Sequence, residues 1–303
     1  MHRHARRRGI PTRGGSAAVV VALALLLAGC PTARRVPEGN PDRPIEAGDR
    51  YVALGDSYTA GYLTGELDPA SGGCLRSLDN YPHRIARALD LELTDVSCGG
   101  ATTENVTAAQ QPSRGDAVPP QLDAVGEDTA LVTIGLGGND FNVFGVLVVN
   151  CVLAGQQDRT GSPCADLVAE NPESLDNIGT IRDRLVDVVT AVRDRAPDAR
   201  ILLVGYPQTF PATTGCAQLP LAAGDVPFAY DALVSLNSAV SSAARKSGAA
   251  YVDVWTASEG HDICSADPWI AGAVPPRPDG APYHPYPEEQ ELVAGLLLDV
   301  LGN

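Results

Sequence analysis

The sequence predicts an α/β fold: one domain built on a central parallel sheet, with helices on both faces and disulfide-tied loops at one edge. Three observations carry this. Short apolar runs alternate with helix-periodic segments from Tyr51 to the end of the chain. Successive runs stop at glycine-rich turns, around Gly55, Gly99-Gly100 and Gly137-Gly138. The longer connections that break the rhythm all carry cysteine.

The amino terminus stands apart from this domain. Residues 1–29 hold Arg3, Arg6, Arg7, Arg8 and Arg13 and no acid, then an apolar core from Ala17 to Leu27 and the small pair Ala28-Gly29. A basic start, a short apolar core and a small-residue end are the parts of an export signal. The core is shorter than the roughly 20 apolar residues that a spanning helix needs. Leu27-Ala28-Gly29-Cys30 resembles the lipobox of bacterial lipoproteins, which implies lipidation of Cys30 and a membrane anchor there. Residues 30–50, with Pro31, Pro37, Pro41 and Pro44 among charges, read as a tether. The folded domain is expected over 51–303.

Composition narrows the partners. The formal charge is -15, and loss of the five leader arginines makes it more negative still. Such a surface excludes nucleic acid, whose phosphates demand a basic patch, and it disfavours docking on anionic lipid heads by charge. Beyond Cys30 six cysteines remain, at 74, 98, 151, 164, 216 and 264. An even number in an exported chain reads as three disulfides, whose pairing the spacing leaves open. No Cys/His spacing suggests zinc, so neither metal nor cofactor is expected. The roughly 270 residues left after export suit one domain with a full core, expected to be a monomer.

In order, Tyr51–Leu54 reads as a strand, Tyr81–Leu89 as a helix, Leu93–Val96 as a strand, Thr102–Ala124 as a polar connection and Ala130–Leu136 as a buried strand. Glu173–Ala196 places Ile178, Ile181, Leu185, Val188, Val189 and Val192 on one helical face. Ile201–Gly205 follows as a strand, Phe228–Arg245 as a helix, Ala249–Trp255 as a strand, and Pro287–Leu301 as the closing helix, with Glu288 and Glu289 in its first turn. The stretches 64–80, 141–172, 208–227 and 256–286 are expected to be long loops over the sheet edge, where binding sites usually form.

Four short blocks could carry chemistry. Gly55-Asp56-Ser57-Tyr58-Thr59-Ala60-Gly61 sits behind the first strand, so Ser57 is either an exposed nucleophile or a helix cap. A serine nucleophile needs a base within hydrogen-bond reach. His2 and His4 leave with the signal, and His83 lies in a helical pattern. His284, between prolines in Ala281-Pro282-Tyr283-His284-Pro285, is the first candidate and His261 the second. Donors for a developing oxyanion could come from Ser97-Cys98-Gly99-Gly100-Ala101-Thr102 or from Gly137-Gly138-Asn139-Asp140. Either stretch could equally be a plain turn. Strand ends of a parallel sheet are where ligands bind.

Taken together, these blocks resemble those of the SGNH hydrolases, also called GDSL esterases and lipases, and within them the secreted actinobacterial branch. The likeness runs from Tyr51 to the last helix. It implies a flavodoxin-like α/β/α sandwich that hydrolyses carboxylic esters through an acyl-serine. Ser57 takes the nucleophile place, His284 the base, and the N–H groups of Ser57 and Gly100 with the Asn139 amide the oxyanion place. The resemblance also implies the pairs Cys74 with Cys98, Cys151 with Cys164, and Cys216 with Cys264. One position departs: the family's aspartate three residues before the histidine is Ala281 here. Either the Ala281 carbonyl or the displaced Asp279 is then expected to orient the imidazole. The expected substrate is an acyl ester, in first place a lipid. The rivals are an acetyl esterase acting on polysaccharide, disfavoured by only 5% aromatic residues, and a binding lipoprotein without chemistry.

Overall fold

The computed structural model describes residues 43–170 and 172–302. The expected leader, Cys30 and the tether up to residue 42 lie outside the described residues.

Five strands form one parallel sheet: β1 (Arg50–Gly55), β2 (Glu92–Asp95), β3 (Thr129–Gly135), β4 (Arg200–Val204) and β5 (Ala250–Val252). Their order across the sheet is β2-β1-β3-β4-β5, all neighbours parallel. This is the flavodoxin-like order, in which the direction of winding reverses between β1 and β3 and opens a crevice at the strands' carboxyl ends. Every residue of β3 is buried, as a middle strand covered on both faces must be.

Alternation along the strands feeds two cores. Val52, Leu54, Val132, Ile134, Ile201 and Leu203 point to one face, where α5 (Ile178–Arg195) and α6 (Asp225–Ser247) pack side by side. Tyr51, Ala53, Leu131, Leu202 and Val204 point to the other, covered by α2 (Tyr81–Leu89) and α8 (Pro287–Leu301). Each of these aliphatic side chains contributes about 1.5–3 kcal/mol by leaving water. Helix limits follow from end chemistry. The Asn80 side chain accepts from the N–H of His83 to start α2, and Gly248, at φ 69°, closes α6.

Most expected elements are present, with three differences. The segment 141–172 is not a loop: after a short turn at Val143–Gly145 and a wide π-helical turn at Val146–Asn150 it forms α3 (Cys151–Gln157) and α4 (Pro163–Glu170). The helix expected from Glu173 is broken, with a single turn at Glu173–Asp176 ahead of α5. The last strand stops at Val252, because the Asp253 carboxylate accepts from the N–H of Thr256 and starts α7 (Val254–Ala257).

The disulfides join Cys74 to Cys98, Cys151 to Cys164, and Cys216 to Cys264, as the resemblance implied. Each ties a connection that follows the carboxyl end of a strand, and such a link typically adds about 2–4 kcal/mol. No helix among the described residues is long and apolar enough to cross a membrane.

Candidate active site

The Ser57 block is built at the end of β1. Gly55 is clasped by the Gln121 carboxamide, which accepts from its N–H and donates to its carbonyl, both at 2.9 Å. A side chain at Gly55 would run into Thr59, so the turn requires glycine. Asp56 is the cap of the four-residue helix α1 (Ser57–Ala60), accepting from the Tyr58 N–H at 2.8 Å. The capping role considered for Ser57 is therefore filled by its neighbour. Ser57 is 7% exposed at the start of α1, and Gly61, at φ 58°, ends the helix.

Three strand ends are hydrogen-bonded into one unit. Cys98 N–H donates to the Gly55 carbonyl and Asp56 N–H to the Gly135 carbonyl, each at 3.0 Å. Gly100 takes φ 78°, a left-handed conformation that glycine adopts without strain; it is exposed, and a Cβ there would meet Gln110 Nε2 at 4.0 Å. The Asn139 amide donates to the Ala101 carbonyl at 3.0 Å, which aims a side chain from the third block at the second. That bond engages one of the two amide protons of Asn139. Behind it Asp140, fully buried, accepts from both the N–H and the hydroxyl of Thr103 and pairs with Arg184 at 3.1 Å.

A second buried link passes beneath Ser57. The Tyr206 hydroxyl donates to the Asp56 carboxylate at 2.6 Å and accepts from the Gly138 N–H at 2.8 Å. Burial pushes the Asp56 carboxyl up to about 7, against the pull of Tyr206 and the Tyr58 N–H. The same burial, together with Asp56, raises the Tyr206 phenol.

His284 sits in a tight turn before α8. Its own N–H donates to the Ala281 carbonyl at 3.1 Å, with Pro282 second and Tyr283 third at φ 62°. Proline followed by a left-handed residue is the pattern of a type II turn, and a bulky residue in that place is strained. The contacts of the ring differ from those expected. The Ala281 carbonyl is occupied by backbone, and imidazole Nδ1 lies 2.7 Å from the Pro282 carbonyl instead. Nor does Asp279 stand behind the ring: both its oxygens are held by the Arg277 guanidinium, at 3.0 and 2.6 Å. That pairing draws the Asp279 carboxyl below its ordinary value, and Arg277 also pairs with Glu288 and stacks on Tyr286.

The turn is fastened to the Ser57 block from several directions. The Tyr58 hydroxyl donates to the Tyr283 carbonyl at 2.9 Å, and the Thr64 hydroxyl to the Pro285 carbonyl at 3.1 Å. Gln290, from α8, donates to the Tyr58 carbonyl at 2.9 Å. Tyr62 stacks on the imidazole with ring centres 4.9 Å apart, and Tyr58 lies 5.8 Å from it. Enclosure by these rings lowers the His284 pKa below the ordinary histidine value, outweighing the Pro282 carbonyl that raises it. Glu289 is buried beside Gln290, and burial pushes its carboxyl up to about 8.

The other histidines lie elsewhere. His261 stacks on Trp269 with ring centres 3.5 Å apart and is bonded to the Asp267 carbonyl. His83 contacts Asn80 through Nδ1 on α2. Tyr58, Tyr206, Asp140 and Gln290 were not candidates from sequence. Only Tyr58 and Asp140 lie within a block, so those two alone carried a local signal.

Comparisons with known proteins show the family of the chain. A family model described as the GDSL-like lipase/acylhydrolase family matches residues 53–291. The chain is 43% identical to Lipase 2 of Streptomyces coelicolor over 262 residues, covering 83% of this chain and 85% of that one. It is 32% identical to a lipase of Streptomyces rimosus, covering 89% and 90%. The crystal structure of phospholipase A1 from Streptomyces albidoflavus NA297 superposes with a TM-score of 0.69 at 31% identity, over 84% of this chain and 99% of that one. By family match, relatives and fold alike, the chain is a carboxylic ester hydrolase and belongs to the GDSL-like lipase/acylhydrolase family.

Proposed function

We propose that the protein is an exported serine esterase or lipase that hydrolyses the acyl esters of lipids, with Ser57 as nucleophile and His284 as base. The observation that carries this is the joining of four blocks: the ends of β1, β2 and β3 bond to one another, and Tyr58 bonds the histidine turn to them. The names of the relatives, lipases and a phospholipase A1, support a lipid ester. Likeness to the extracellular lipase of Streptomyces rimosus, whose crystal structure superposes with a TM-score of 0.69 at 29% identity, supports export.

In the first half-reaction the Ser57 hydroxyl oxygen bonds to the ester carbonyl carbon while its proton passes to His284 Nε2. The Pro282 carbonyl accepts the Nδ1 proton, which fixes the tautomer that leaves Nε2 free as a base. Negative charge on the former carbonyl oxygen meets the N–H groups of Ser57 and Gly100 and the Asn139 amide. Collapse breaks the bond to the alcohol, which leaves with the proton from His284. Water then repeats the sequence on the acyl-serine and frees the carboxylic acid. A main-chain carbonyl stabilises the transient imidazolium less than a carboxylate would.

Lipidation of Cys30 holds the enzyme at the membrane on this reading, with residues 31–50 as tether. Replacing Ser57 with Ala is expected to abolish hydrolysis of a p-nitrophenyl acyl ester and labelling by a fluorophosphonate. Labelling that survives in Ser57→Ala overturns the assignment.

A further inference from the structure

The segment that leaves the Asn139 block runs from Phe141 to Gln157 without one charged residue, in a chain whose formal charge is -15. Its inner side is accounted for: Leu147 and Cys151 are buried, and Gly155 lies against the backbone of residues 220–222. Its outer side is uncharged, with Asn150, Gln156 and Gln157 exposed beside two large apolar side chains. Val149 and Leu153, one helical turn apart, are 51% and 54% exposed. Leu153 borders a cavity of about 370 Å³ shared with Asn150, Ala154, Gln157, Pro163 and Leu167.

The position of this hairpin points to what covers it. Phe144, at its base, stacks on Tyr58 with ring centres 5.1 Å apart, and Tyr58 bonds the turn that carries His284. On the opposite side of His284, Tyr62 stacks on the imidazole and is followed by exposed Leu63. Four of the seven exposed large apolar side chains among the described residues, Leu63, Val149, Leu153 and Leu167, thus lie on segments flanking the site. The Cys151–Cys164 disulfide clamps α3 to α4 and fixes this face. An acidic protein approaches a lipid surface at least electrostatic cost through its uncharged face.

We propose that the uncharged arm of this hairpin, residues 143–157, is a lipid-docking surface that seats the enzyme on zwitterionic lipid with its active edge toward the acyl esters, the charges at Asp158, Arg159, Asp166 and Glu170 lying beyond it. This rests on the lipid-ester reading above. The test uses the full chain with Cys30→Ser, so that no acyl anchor contributes, and vesicles of phosphatidylcholine carrying a long-chain ester. Val149→Glu with Leu153→Glu is expected to lower vesicle association and turnover of the vesicle-borne ester at least tenfold, and to leave p-nitrophenyl butyrate hydrolysis in solution within twofold. The control Val234→Glu with Val300→Glu adds the same charge at exposed apolar residues outside the hairpin and is expected to change neither.

Vesicle association and turnover within twofold of the parent in the hairpin variant overturn the proposal. So does a parent that sediments as a dimer, if the variant is monomeric with unchanged vesicle association, because a second copy then covers the face. If the glutamates also lower turnover in solution, Leu153→Ser carries the same comparison. A parent that binds vesicles through the hairpin yet hydrolyses no soluble ester sinks the catalytic reading alone.

Discussion

On the side of Ser57 proposed to receive the oxyanion the main chain is locked by polar groups: Asp140 with Thr103 and Arg184, Tyr206 with Asp56 and Gly138, and Gln121 with Gly55. On the histidine side the ring bonds no carboxylate among the described residues. The imidazole is placed by a strained turn, two tyrosine rings and hydrogen bonds to main-chain carbonyls. Donors to a transition state must not move as charge develops, and buried charge pairs are costly to break. A base must gain and lose a proton in each cycle, which a neutral carbonyl partner permits without a fixed counter-charge.

The largest expected effect comes from breaking the locked side. Asn139→Ala removes a side-chain donor and should lower kcat by about 10²–10³-fold, in the range seen when one oxyanion donor is lost. A kcat within threefold of the parent would place the oxyanion elsewhere.

The contrast is sharpened by the pH dependence of kcat/KM. Burial lowers the His284 pKa, so the neutral base persists below the ordinary histidine value of about 6.5. Activity is therefore retained as pH falls past 6.5 and is lost only through the lowered pKa. A carboxylate behind the ring would raise that pKa and move the acid limb above 6.5. The smallest effect is expected from Asp279→Asn. Its partner is Arg277, in a partly exposed pair worth about 0–1 kcal/mol, and turnover should stay within about threefold. A loss of orders of magnitude would show Asp279 moving behind His284 during catalysis.

The two sides also differ in how legible they were in the sequence. The donor blocks follow directly on strands, and a strand end fixes where its next residues lie, so Ser57, Gly100 and Asn139 could be placed together from local pattern. The locks behind them could not: Tyr206 and Asp56 are 150 positions apart, and no periodicity links them. On the other side the histidine itself was legible, by elimination and by its flanking prolines, whereas its orienter was not. Which carbonyl meets the ring depends on the left-handed conformation of Tyr283, and a tyrosine gives no sign of it, as glycine or asparagine would. The hairpin helices were hidden for another reason. With Val149 and Leu153 apolar on the outside and Leu147 on the inside, the segment's few exposed polar residues, Asn150, Gln156 and Gln157, do not mark a helical period.

A main-chain oxygen at Pro282 also changes what mutation can reach. No substitution deletes a backbone carbonyl, so a saturation-mutagenesis map of this enzyme should show a catalytic pair with no essential acid as third member. Tolerance at 282 and 283 should instead follow turn geometry, with glycine or asparagine accepted at 283 and β-branched residues rejected. Selection on the base's alignment then acts through the shape of the chain, and the identity of the side chains there is free to drift.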